Sequence, residues 1–219
     1  ERGNLVIIGG AEDKRTDKAI LKEVIKLSGG KGSHITLITT ATKSPEEAGL
    51  EYKRLFEELG AGSVVSINII DRDTANNLEG LKILEEATCI FFVGGDQLRI
   101  SSILGGTEVH RLLKQGYKEG KVIAGTSAGA SMMSEIMVVE GKDDDAPRKC
   151  TLKMAPGMGL LEGVIIDQHF NQRGRIGRLL AAVAQNPSVL GIGIDEDTAM
   201  IVDKKLEFTV EGSGGVTVV

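Results

Sequence analysis

The chain has no tryptophan, two tyrosines and five phenylalanines among its 219 residues. So sparse an aromatic complement argues against a base-stacking platform for single-stranded nucleic acid. Positive charge is in short supply too: 26 Lys and Arg stand against 31 Asp and Glu, a net charge of −5, with no long basic block. That weighs against nucleic-acid or anionic-membrane binding as the main task. No run approaches the roughly 20 apolar residues of a membrane span. The opening ERGNLVIIGG lacks a signal-peptide pattern. The two cysteines, Cys89 and Cys150, form no C-x-x-C pair, which fits a reducing compartment and a cytoplasmic location. Cys89 opens the apolar run CIFFV and reads as a small buried hydrophobe.

What is present is ordinary for a globular chain. Hydrophobic residues make up 41% and charged residues 26%, enough at this length to bury a core. No internal repeat or linker interrupts the sequence, so one domain over residues 1–219 is expected.

Short apolar runs predict strands over 5–8, 35–40, 64–70, 89–93, 122–124, 164–166 and 189–194, with hairpin-like segments at 199–202, 206–210 and 216–219. Helical spacing of apolar residues predicts helices over 17–27, 45–60, 77–87, 97–104 and 108–119. The second of these opens with Ser44 as cap and Pro45 at the first helical position, and its apolar stripe is Leu50, Leu55, Phe56 and Leu59. The strands are continuously apolar and alternate with helices, the pattern of a parallel sheet covered on both faces. In such sheets ligands bind beyond the carboxyl ends of the strands. The Gly9-Gly10 turn, the GGDQ turn at 94–97 and the stretch KVIAGTSAGA at 121–130 all fall at that edge.

KVIAGTSAGA contains Gly125-Thr126-Ser127-Ala128-Gly129, a G-x-S-x-G between a strand and a helix-like stretch over 130–139. A side chain on so tight a turn is lifted clear of the sheet, and the first helical N–H groups have no internal partner and can face an oxyanion. Ala128, the residue after Ser127, offers one donor, and Gly95, free of a side chain, offers a second from the neighbouring turn. Of the three histidines, His34 begins a strand and His110 lies in a helix, both structural places. His169 follows a strand end within DQHF, where it can take a proton from Ser127 and return it to a leaving amine. Asp195, Glu196 and Asp197 follow another strand end, with Asp195 and Asp197 facing one side and Glu196 the other. The pattern does not choose among them.

Arg173, Arg175 and Arg178 crowd a helix start, against the preference of the helix dipole for anions. Either a substrate carboxylate or a salt bridge to Asp167 or Asp195 would account for them. Residues 141–149 (GKDDDAPRK) read as a solvated loop. Their three consecutive Asp lack the alternating spacing of a calcium loop, so no metal is assigned.

Six segments in this order, GGAEDK (9–14), FFVGGDQLR (91–99), AGTSAGAS (124–131), DQHF (167–170), RGRIGR (173–178) and LGIGIDEDTA (190–199), resemble the cyanophycinase family. These are serine peptidases related to aspartyl dipeptidase, on a fold similar to class I glutamine amidotransferases. The resemblance implies a flavodoxin-like α/β three-layer sandwich with a mostly parallel sheet, and a homodimer. It implies hydrolysis of cyanophycin, a poly-aspartate backbone with arginine on each β-carboxyl, to β-aspartyl-arginine dipeptides, without a metal or organic cofactor. By motif position it implies Ser127 as nucleophile, His169 as base and Glu196 as acid. It also implies Gln97, Asp167, Gln168, Arg173, Arg175 and Arg178 around the substrate. Members of that family usually continue past the last strand found here, which leaves the outer rim of the pocket and the dimer contacts outside the resemblance. Two other readings are an aspartyl or isoaspartyl dipeptidase acting on short peptides, and a non-peptidase amidotransferase-like binding subunit. Ser rather than Cys at the elbow weighs against the second.

Overall fold

The computed structural model describes residues 2–77, 81–148 and 152–219. In chain order the first half runs β1 (Leu5–Ile8), α1 (Ala19–Leu27), β2 (His34–Ile38), α2 (Pro45–Glu58), β3 (Ser63–Ile67), α3 (Lys82–Glu86), β4 (Cys89–Phe92), α4 (Gln97–Leu104) and α5 (Glu108–Lys118). The second half runs β5 (Val122–Thr126), α6 (Ala128–Ser131), β6 (Ile136–Glu140), β7 (Lys153–Pro156), β8 (Val164–Asp167), α7 (Ile176–Gln185), β9 (Leu190–Ile194), β10 (Thr198–Val202), β11 (Phe208–Gly212) and β12 (Val216–Val218).

Strand β1 shows why these strands are apolar throughout. Its alternate side chains bury on opposite faces: Leu5 and Ile7 join the core under α3, α4 and α5, while Val6 and Ile8 join the core under α1 and α2. A strand buried on both sides has no position for a polar residue. The central sheet has the order β11-β10-β1-β5-β4-β2-β3. Its five strands β1 to β5 are mutually parallel, and β10 and β11 add antiparallel at one edge. With helices on both faces this is the flavodoxin-like three-layer sandwich that the resemblance implies.

Several expectations are corrected. The helix expected over 130–139 is only the four-residue α6, after which the chain turns into β6. The carbonyls of Met132, Met133 and Ser134, which a longer helix would use internally, instead accept N–H groups from Met158, Leu160 and Gly159. Strands β8, β9 and β12 form a separate three-stranded sheet, and β6 pairs with β7. Ser44 precedes α2, and Pro45 opens it as expected, but the serine side chain makes no capping bond. Leu50 is 49% exposed, and Tyr52 takes the buried place on that helix. The strand expected over 64–70 ends at Ile67, and Ile70 is exposed. The first residues of the helix expected over 77–87 lie partly outside the described residues, as do Lys149 and Cys150. Cys89 is buried, and burial pushes its thiol up to about 12.

Candidate active site

The glycines of G-x-S-x-G set the elbow by close packing. A Cβ on Gly125 would stand 2.3 Å from the carbonyl oxygen of Gly129, and one on Gly129 would stand 2.5 Å from that of Phe92. Only bare backbone lets α6 sit this tightly on β5 and β4. Ser127, between them, has φ 55° and ψ −110°, a conformation that costs a non-glycine residue roughly 1–3 kcal/mol. Its N–H donates to Ile8 O at 3.0 Å, and its carbonyl accepts from Ala130 and Ser131 at 2.9 and 3.1 Å. Among the described residues seven non-glycines have positive φ, and Ala11, Ser127, His169 and Asp197 are four of them. Strain of this kind gathers at functional sites, and these four belong to four separate loops, those after β1, β5, β8 and β9.

His169 follows β8. Its backbone N–H donates to Gly9 O at 2.8 Å. Its Nε2 lies 3.1 Å from Ser127 Oγ and its Nδ1 lies 2.6 Å from Glu196 Oε1. A carboxylate only accepts, so the second contact keeps the proton on Nδ1 and turns the Nε2 lone pair toward Ser127. The Ser127 hydroxyl is also 3.3 Å from Gln168 Oε1. Of the three neighbouring acids, only Glu196 reaches the imidazole. Asp195 is buried and accepts from the backbone N–H groups of Asn171 and Gly215 and from the Asn171 amide. Asp197 accepts from Asp13 N–H and from the Ser213 hydroxyl. The Glu196 N–H is held by Gln172 Oε1 at 2.9 Å.

The β4–α4 turn reaches the same point. A Cβ on Gly94 would lie 3.4 Å from Ser127 Cβ. Among the described residues, neither the Gly95 nor the Ala128 N–H makes a hydrogen bond. Gly95 has φ +144° and lies against Ala41 O, where a Cβ would come within 2.2 Å. Asp96 caps α4, accepting from Leu98 N–H at 2.9 Å. Gln97 is half-buried, and its amide donates to Val138 O at 2.9 Å.

The arginines divide. Arg173 is exposed, whereas Arg175 and Arg178 are buried and paired. Arg178 grips Asp167 with Nε at 2.6 Å and Nη2 at 2.5 Å, and Asp167 is 1% exposed. Arg175 donates to Gln168 O at 2.8 Å and to Asp143 Oδ1 at 2.7 Å. The charges of Asp167, Arg175 and Arg178 thus meet one another and Asp143. The conflict with the helix dipole is also smaller than the pattern suggests, because α7 begins at Ile176, after Arg173 and Arg175. Asp143 comes from the loop expected to be merely solvated. Partial burial works against its charge, but Arg175, Arg178 and Arg173 outweigh it and hold its carboxyl below the usual aspartate range. Asp144 N–H donates to Gly174 O at 3.2 Å, so two of the three consecutive Asp fasten that loop to the β8–α7 junction. His34 and His110 take structural places, bonded to Ser63 Oγ and Met158 O.

Sequence reasoning missed Glu12 and Tyr52. Glu12 is 4% exposed and lies under the elbow, accepting the Thr126 hydroxyl at 2.7 Å and also that of Tyr52. The only signal was its place in GGAEDK, directly after a strand end.

The sequence profile of peptidase family S51 matches residues 5–208. A cyanophycinase from Trichormus variabilis is 40% identical over 216 residues, covering 98% of this chain and 72% of the relative. Another, from Geminocystis herdmanii, is 38% identical over 219 residues, covering 100% of this chain and 80% of the relative. In fold, the crystal structure of a peptidase from an acI-B1 Actinobacterium superposes with a TM-score of 0.74 at 23% identity, covering 98% of this chain and 89% of that one. With a strand-to-helix serine elbow facing a histidine and a glutamate on this sandwich, and with a family profile that spans almost every element, the chain belongs to peptidase family S51.

Proposed function

We propose that this serine peptidase hydrolyses cyanophycin to β-aspartyl-arginine dipeptides as an exopeptidase, through an acyl-enzyme on Ser127. The observation that carries the catalytic part is the chain of contacts from Ser127 Oγ to His169 Nε2 at 3.1 Å and from His169 Nδ1 to Glu196 Oε1 at 2.6 Å. The name shared by relatives at 38–40% identity carries the substrate.

Ser127 Oγ attacks an aspartyl carbonyl while His169 Nε2 takes its proton. Glu196 holds the imidazole in the right tautomer and balances its positive form. The N–H groups of Gly95 and Ala128 receive the oxyanion, each donor contributing roughly 2.7–4 kcal/mol to the transition state. His169 then returns the proton to the leaving amine. Water, activated by the same imidazole, hydrolyses the acyl-enzyme and frees Ser127. Arg173, Gln97 and Gln168 are the substrate contacts of this reading. Asp167, Arg175 and Arg178 support Gln168 and His169 from below.

The central sheet takes strands from both halves of the chain, which supports one peptidase domain over residues 1–219. A homodimer follows from the family resemblance, and sedimentation would test it. A cytoplasmic location fits the free, buried Cys89. No helix among the described residues is long and apolar enough to cross a membrane.

Two measurements test the reading. A fluorophosphonate should label Ser127 and no other serine. Mass analysis of a cyanophycin digest should show β-aspartyl-arginine accumulating. An Asp-X dipeptide cleaved faster than the polymer would favour the dipeptidase reading, and an unlabelled Ser127 would favour a binding subunit.

A further inference from the structure

We propose that Glu12 is a positioning residue for the reaction, holding the Ser127 elbow in its strained conformation through Thr126. The inference rests on the reading of Ser127 as nucleophile.

Glu12 is 4% exposed, and among the described residues it has no cationic partner. A carboxylate in such a place is costly unless its oxygens are satisfied. Two hydroxyls satisfy them: Thr126 Oγ1 donates to Oε2 at 2.7 Å and Tyr52 Oη donates to Oε1. Both donors are themselves buried, Thr126 at 4% and Tyr52 at 5% exposure. Tyr52 is fixed in turn. Its ring packs against Phe91 with centroids 5.0 Å apart, and Lys14 Nζ sits 4.2 Å over its face. The carboxylate therefore hangs from a rigid post on α2 and reaches the last residue of β5.

That last residue is joined to Ser127 by one peptide unit. Ser127 has φ 55°, a conformation that persists only where surrounding contacts over-determine it. The peptide's N–H is held by Ile8 O at 3.0 Å, and the Thr126 side chain anchors the residue on its β5 side. Glu12 also belongs to the loop that organises the other two members of the triad. In that loop Gly9 O accepts the His169 N–H at 2.8 Å and Gly10 O accepts the Asp197 N–H at 2.9 Å. One buried carboxylate thus ties the loop that holds the His169 and Asp197 backbones to the strand that leads into Ser127. If burial alone mattered, an apolar group of the same shape would do equally well. A role in aiming Ser127 requires the hydroxyl-to-carboxylate bond itself.

The test compares wild type with Thr126→Val, Thr126→Ser and Glu12→Gln. Two quantities are read: the rate of fluorophosphonate labelling at Ser127, and kcat and KM on cyanophycin. Thr126→Val and Glu12→Gln should each slow labelling and kcat about tenfold or more, with KM changed less than about twofold, because small misplacements of a reacting group act on the chemical step. Thr126→Ser keeps the hydroxyl and should recover to within about threefold of wild type. The double variant Thr126→Val/Glu12→Gln should label no more slowly than the slower single one, since a shared bond is lost only once. A folded Thr126→Val protein with wild-type labelling and kcat would overturn the proposal. If Glu12→Gln does not fold, the near-isosteric pair at Thr126 still decides. Wild-type protein that takes no label overturns the nucleophile reading, a result distinct from wild type labelled and Thr126→Val labelled equally fast.

Discussion

Gly10 lies flat against the imidazole of His169: a Cβ there would stand 2.4 Å from both Cε1 and Nε2. Gly10 also has φ +101°, which most residues do not adopt. The β1–α1 loop is therefore a wall of the site, and its bareness sets where the ring can stand.

Gly10→Ala should displace the ring from Ser127. Activity on cyanophycin should fall about a hundredfold, in keeping with the penalty for misplacing a reacting group by about 1 Å. The strained φ adds a loss of about 1 kcal/mol or more in stability. Steady-state kinetics beside a urea melt would read both, and a variant with wild-type kcat would show that the ring has room the geometry denies.

Three neighbouring acids should behave differently. Glu196→Gln leaves size unchanged but replaces an ionised group that only accepts with a neutral amide that can also donate toward Nδ1. It should lower kcat by roughly 10³-fold or more with little change in stability. Asp195→Asn should instead cost about 1–3 kcal/mol of stability, because the donors of Asn171 and Gly215 lose an ionised acceptor. Equal kinetic effects at the two positions would contradict this division.

The arginines should split the same way. Arg178→Ala leaves buried Asp167 with only the longer Arg175 contact at 3.4 Å, which should destabilise the protein by roughly 3–5 kcal/mol in denaturant titration. Arg173→Ala lies on the surface, so its melt should be unchanged within about 0.5 kcal/mol. Its KM for the polymer should rise. A stable Arg178→Ala protein with raised KM would return Arg178 to the substrate.

Loop 141–148 should respond to acid through Asp143. The folded carboxyl titrates below its usual range because of the arginines around it. Its contribution to docking is therefore complete above the ordinary aspartate value and is lost as the pH falls through the lower folded value. Trypsin should cut within 141–148 slowly at neutral pH. It should cut faster in Asp143→Asn at that same pH, and equal rates would mean that the ion pairs do not hold the loop.

Much of this was legible in the chain. Strand β4, the run CIFF, and helix α4, from Gln97 to Leu104, fall where periodicity put them, because a doubly covered parallel sheet imposes uninterrupted apolar runs on its strands. The rule that ligands bind beyond strand carboxyl ends then places Ser127, His169 and the 195–197 acids near one another. The misreading over 130–139 shows the limit. A string of small and apolar residues carries no mark of whether its carbonyls will be used within a helix or by another segment, here 158–160.

By itself the sequence determined the α/β class, the serine elbow and the family, since these depend on local patterning and on motifs in order. Only the tertiary structure decided which charges face each other. Arg175 and Arg178 look like Arg173 in RGRIGR, yet Asp143, 32 and 35 residues away, and Asp167 neutralise the first two. It also decided that Glu12 lies beneath the elbow, bonded to Thr126 across 114 residues. A charge buried at long sequence separation leaves no periodic signal; its partners are fixed by how the strands are ordered in the sheet, not by their order in the chain.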